Sequence, residues 1–163
     1  FQKNLVESGL TLGSSFGYYT QRHTGPITVN AQIPPDRLDK AIPAILQEIE
    51  KMTDPDYFTE EQLASAKTIL AIQDLFDREQ LSSFAHTISF WWATAGTDYY
   101  VNYVKNLKTI THADIKRYLK QYVLGKPYIL GAMMNKGVQD STGFSEEMLR
   151  NLATTAVQTE GAK

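Results

Sequence analysis

Between residues 27 and 33 apolar and polar side chains alternate without exception. Ile27, Val29, Ala31 and Ile33 stand against Thr28, Asn30 and Gln32. A period of two puts all the apolar groups on one side only if the chain is an extended, half-buried strand. Pro34-Pro35 ends it, because proline brings no N–H to a ladder. Upstream, Leu10, Leu12, Ser14, Phe16 and Tyr18 alternate with Thr11, Gly13, Ser15, Gly17 and Tyr19. The turn residues Gln21-Arg22-His23-Thr24-Gly25-Pro26 separate the two runs, so together they predict an antiparallel hairpin. The glycines and serines on the second face of the first strand predict a close approach by another backbone or a helix.

Most of the remaining sequence has helical period. Residues 1–8 resemble the end of a helix stopped at Gly9, where a left-handed residue suits the C-terminus. Asp36 is placed to cap a helix whose apolar stripe is Leu38, Ala41, Ile42, Ile45, Leu46, Ile49 and Met52. Pro43 lies inside that stripe and predicts a bend or break. Thr59 with Gln62 forms a capping-box pattern ahead of Leu63, Ala66, Ile69, Leu70 and Ile72. The phase shifts around Asp77-Arg78-Glu79, and a second helix continues to Gly96. Shorter helices follow from Asp98 and from Thr111, the latter ending at Gly125 and Pro127. Residues 128–134, Tyr-Ile-Leu-Gly-Ala-Met-Met, form a short apolar run between breakers and predict a buried strand. Beyond Lys136 the composition turns small and polar. Residues 137–163 therefore predict a polar tail or interdomain linker, with one helical turn near residues 144–152.

This order of elements predicts an α+β fold: an antiparallel or mixed sheet covered on one face by helices. Three strands are few for so much helix, and the chain opens in what reads as mid-helix. Both features predict a fragment of a longer protein whose first strands precede Phe1.

Composition narrows the function. The 163 residues carry 16 basic and 18 acidic groups with no basic stripe, which argues against a nucleic-acid partner. No apolar run is long enough to span a bilayer. The absence of cysteine removes disulfides, thiol catalysis and cysteine-ligated zinc. His23, His86 and His112 lack metal-ligand spacing, so no zinc site is predicted within the chain. The paired acids Glu60-Glu61 and Glu146-Glu147 fall at helix starts, where they offset the macrodipole. A serine nucleophile is not predicted either: Ser14-Ser15 lies within a strand, and its surroundings are neither Gly-x-Ser-x-Gly nor a phosphate loop. The aromatic series Phe84, Phe90, Trp91, Trp92, Tyr99, Tyr100 and Tyr103 has helical spacing and predicts core packing. Adjacent tryptophans cannot share one helix face, so one of Trp91 and Trp92 is expected on an outer surface.

Several local phrases occur in a familiar order. Residues 5–12, Leu-Val-Glu-Ser-Gly-Leu-Thr-Leu, run from helix to strand, and Lys40-Ala41-Ile42 leads to Leu46-Gln47-Glu48-Ile49. Thr59-Glu60-Glu61-Gln62-Leu63 leads to Ala66-Lys67, and Ile110-Thr111 leads to Asp114-Ile115 and Tyr118-Leu119. Over roughly residues 1–135 the series resembles the C-terminal portion of a domain of the pitrilysin/insulinase-like zinc metallopeptidases, which include mitochondrial processing peptidase. The resemblance implies a partial peptidase domain over residues 1–136, belonging to a clamshell of homologous α+β domains that encloses peptides. It places zinc, held by a His-x-x-Glu-His motif and a distant Glu, in another domain.

In such enzymes a C-terminal domain supplies an Arg and a Tyr that hold substrate, and the matching positions here are Leu5 and Leu12. Neither can donate a hydrogen bond or carry charge. The expected role is therefore a non-catalytic domain that helps form the chamber and supports the zinc-bearing domain. Its expected partners are other domains or a subunit of the same peptidase, and peptide substrates. An alternative is a catalytically inactive, structural member of the family acting as an interaction subunit; a third is an unrelated α+β binding module. A bacterial periplasmic or envelope location is the expectation from the family.

Overall fold

A computed structural model describes residues 1–158. It is α+β, mostly helical, with a two-stranded antiparallel sheet formed by β1 (Gly13–Tyr18) and β2 (Ile27–Gln32). The chain divides into two compact units.

The first unit comprises Phe1–Gly17, Thr28–Met52 and the chain from Val123 onward. It opens with a π-helical segment, Gln2–Glu7, and continues into the hairpin strands. After a 3-10 turn at Pro35–Arg37 comes α1 (Leu38–Lys51), then, later in the chain, α7 (Lys136–Thr142) and α8 (Glu146–Gln158). Asp36 lies in the 3-10 turn and makes no side-chain cap; Arg37 occupies the cap position of α1. The helix passes through Pro43 without a break. Its stripe buries Leu38, Ala41, Ile42 and Ile45. Leu38 and Ile42 meet the buried ring of Phe144, with Met148, Leu149 and Leu152 of α8 packed around them. The small, polar stretch after Lys136, expected from composition to be a tail, thus supplies Phe144, Met148, Leu149 and Leu152 to this unit's core in its described part. A few apolar residues at helical spacing were enough to dock it once a facing stripe existed.

The predicted strand at residues 128–134 is corrected. These residues form no strand, and Ile129 and Met133 are 100% and 99% exposed. Strand conformation needs a ladder partner for its backbone groups, and among the described residues the only ladder joins β1 and β2. The sheet is accordingly antiparallel, as one of the two expectations had it, but lacks the third strand.

The second unit comprises Tyr18–Ile27 and Thr53–Tyr122. At the hairpin tip the amide of Tyr19 donates to the carbonyl of Pro26 at 3.1 Å. A Cβ on Gly25 would run into the Tyr19 carbonyl and lie 2.7 Å from the Tyr18 ring, so the close approach falls at this glycine. Gly13 has open space instead, and Gly17 comes no closer than 3.9 Å to the Thr28 hydroxyl, contrary to the packing expected there.

The rest of the unit is α2 (Glu60–Glu79), α3 (Leu81–Thr94), α4 (Thr97–Val101), α5 (Tyr103–Thr109) and α6 (His112–Tyr122). The capping box of α2 is complete: the Thr59 hydroxyl accepts from the Gln62 amide at 3.2 Å, and the Gln62 side chain accepts from the Thr59 amide at 2.8 Å. Extended backbone at Gln80 separates α2 from α3, which accounts for the phase shift. In the first turn of α6 the Asp114 carboxylate accepts from the Thr111 hydroxyl at 2.7 Å and from its amide at 3.0 Å. The Thr111 hydroxyl, then Arg117, hold that carboxyl at about 2, below its ordinary range.

Inside this unit Trp91 stacks among Tyr99, Tyr100 and Tyr103, with the Tyr99 ring centroid 4.9 Å away. Trp92, its neighbour in sequence, is exposed. Asp74 is buried and bonded to Arg78 at 2.9 Å; the Arg78 guanidinium lies 5.0 Å above the Tyr100 ring. Burial, then the charge of Asp74, raises the Tyr100 pKa.

Candidate functional site

The segment from Leu5 to Leu12 carries the positions at which a substrate-holding pair was sought. Its turn is set by local chemistry. The Gly9 amide donates to the Val6 carbonyl at 2.9 Å, and the Ser8 hydroxyl donates back to the Asn4 carbonyl at 2.7 Å. Gly9 has φ +76°, which a side chain would strain. A Cβ there would also stand 2.7 Å from the Arg37 guanidinium, which donates to the Gly9 carbonyl. The chain then doubles back: the Thr11 amide donates to the Leu5 carbonyl at 2.9 Å, and the Leu12 amide to the Gln32 carbonyl at 2.8 Å. That last bond extends the ladder below β1.

This geometry separates the two leucines. Leu5 is 1% exposed and belongs to the interior of its unit, whereas Leu12 is 70% exposed. The first could admit a polar group only by burying it, at a cost of several kcal/mol if unpaired. The second faces solvent. Of the polar side chains between them, Glu7 and Ser8 are exposed and Thr11 is buried, its hydroxyl without a hydrogen-bond partner among the described residues. A neutral hydroxyl flanked by leucines offers neither a base nor a charge for peptide chemistry.

A residue the sequence reading passed over braces the segment from α1. Glu48 is 2% exposed, and its carboxylate accepts from the Asn4 side chain at 2.7 Å while Lys51 approaches to 3.9 Å. A buried carboxylate is tolerated only when it is bonded or paired. Its signal was present: Glu48 lies three residues beyond Ile45 on the buried stripe, a charge where the helical period calls for an apolar side chain. Arg37 left no such signal, because its contact with Gly9 depends on the fold.

The histidines are not assembled into a site. His23 lies in the hairpin turn and His86 on the exposed side of α3. His112 begins α6, 3.5 Å from Glu60 and stacked 4.3 Å from the Phe58 ring. Among the described residues no group of three or more His, Asp or Glu side chains is placed to hold a metal ion. No described helix is long and apolar enough to cross a membrane. A surface depression of about 360 Å³, lined by Pro35, Asp36, Leu38, Asp39, Thr142 and Met148, has two carboxylates and no basic group in its lining.

The comparison with known families bears on the same segment. Residues 1–70 match the family model of the peptidase M16 inactive domain. Over these residues the chain is similar to a non-catalytic M16 domain. The M16 match takes in the π-helical turn, the hairpin, α1 with Glu48, and α2 as far as Leu70. The motifs around Thr111 and Tyr118 lie beyond it. No curated protein and no solved structure matches the chain.

Proposed function

We propose that the chain serves as a non-catalytic domain of a zinc metallopeptidase, helping to form the chamber that encloses the peptide and supporting the domain that carries the metal. The M16 inactive-domain match over residues 1–70 supports this reading. The chemistry of the Leu5–Leu12 segment is in keeping with it, since one leucine packs the interior and the other presents only an alkyl surface. In this role the chain contributes walls and position. Holding a peptide in a defined place lowers the barrier for groups supplied elsewhere. Other domains or a subunit of the same peptidase are its proposed partners, and a bacterial envelope location follows from the same family reading.

The test is metal analysis and peptide hydrolysis on the intact assembly and on the assembly lacking this chain. The expected result is zinc retained by the remainder, with kcat/KM for peptides reduced by at least about tenfold, the scale on which mispositioned substrate costs rate. Stoichiometric zinc on this chain alone, or unchanged hydrolysis without it, would overturn the proposal. An intact assembly with neither zinc nor chelator-sensitive hydrolysis would establish the alternative, an inactive interaction subunit.

A further inference from the structure

The helix α2 turns a side of mixed polarity inward and an apolar side outward. With about 3.6 residues per turn, Leu63, Lys67 and Asp74 share the side turned into its own unit, where Asp74 meets Arg78 above the buried Tyr100 ring. Ile69, Ile72, Leu75 and Phe76 share the opposite side, and each is between 45% and 66% exposed. The apolar side of an amphipathic helix is ordinarily packed against a partner. This outward stripe is therefore a surface waiting for a partner.

Its charges say what kind. Glu61 and Glu79 are exposed and lie about five full turns apart, hence on the same face and about 27 Å from each other along the axis. They close the two ends of the stripe. The basic groups of the helix fall elsewhere: Lys67 donates to the Lys108 carbonyl at 3.3 Å, and Arg78 is engaged with Asp74. An apolar stripe bracketed by carboxylates fits an apolar surface bracketed by Lys or Arg. A second copy of α2 laid along it with ends matched sets carboxylate against carboxylate in either direction, an arrangement that like-charge repulsion disfavours.

We infer that the outward stripe of α2 is the face on which another domain or subunit of the same peptidase docks, through an apolar surface carrying basic groups at its two ends. This inference rests on the proposed function and adds to it the contact face and the partner's chemistry.

The experiment is photo-crosslinking in the native assembly from a benzoylphenylalanine introduced at Ile72, with the crosslinked peptide identified by mass spectrometry and the assembly followed by sedimentation. The expected product joins Ile72 to another M16 domain or subunit, in a segment with Lys or Arg beside apolar residues. Its yield should fall several-fold in the Glu61→Lys/Glu79→Lys variant, whose circular dichroism should match the parent's. A crosslink to α2 of a second copy, a crosslink within the chain, an acidic partner segment, or a yield unaffected by charge reversal would overturn the inference. If another M16 domain co-sediments but no crosslink forms, the docking face alone is wrong. If the chain sediments without any such domain, the proposed function fails and the inference fails with it.

Discussion

The helices α1 and α2 begin as similar sequences and end in different circumstances. Each has an apolar stripe at helical period and one charged residue set among buried neighbours: Glu48 in α1 and Asp74 in α2. In α1 the stripe is matched. Leu38 and Ile42 close on Phe144 and the apolar side of α8, and Glu48 is bonded to Asn4. In α2 the inward side is matched through Leu63 and the Asp74–Arg78–Tyr100 group, but the outward stripe stays exposed. Amphipathic pattern therefore identifies which residues want cover. It does not say whether that cover comes from the same chain.

The comparison can be broken most forcefully at Ile42. Ile42→Ala should destabilise the first unit by roughly 2–5 kcal/mol, because the packed site against Phe144 can only partly collapse. Chemical denaturation followed by circular dichroism measures it, and a loss below about 1 kcal/mol would show that α1 and α8 are not held together by this cluster. Asn4→Ala should cost less, about 1–3 kcal/mol, the scale of removing a hydrogen bond to a buried charge. The same denaturation series, with Glu48→Gln as a companion that keeps an acceptor for Asn4, tests whether the carboxylate braces the helix-to-strand turn. The smallest effect is expected on the outward stripe. Leu75→Ala should change stability by no more than about 0.5 kcal/mol, as for an exposed position. A loss of several kcal/mol would mean that this face is already covered within the chain.

Much of the fold could be read from residues alone where the signal was local. The Thr59–Gln62 box rests on contacts three residues apart, and the strand at residues 27–32 pairs with the neighbouring run across one short turn; each formed where expected. Gly9 and Gly96 both adopt positive φ at helix boundaries, as their positions implied. The departures share a different cause. Residues 128–134 have the composition of a strand, yet a strand exists only with a partner. Residues 137–163 look polar and small, with one helical turn expected near 144–152, yet Phe144 and its neighbours found the stripe of α1. Pro43 does not break α1, and Ile42 and Ile45 on either side of it are buried.

For the candidate site the division is similar. That Leu5 and Leu12 lack charge and donors is a property of the sequence, and so is the order of elements over the residues that match the M16 inactive-domain model. Tertiary structure alone decided that Leu5 is enclosed and Leu12 exposed, that Glu48 grips Asn4 and that Arg37 closes on Gly9. Period and capping are written in neighbouring residues, because they depend on backbone geometry over one or two turns. Burial and long-range bonding are decided only when distant segments meet, since the same apolar stripe is core against a matching face and open surface without one.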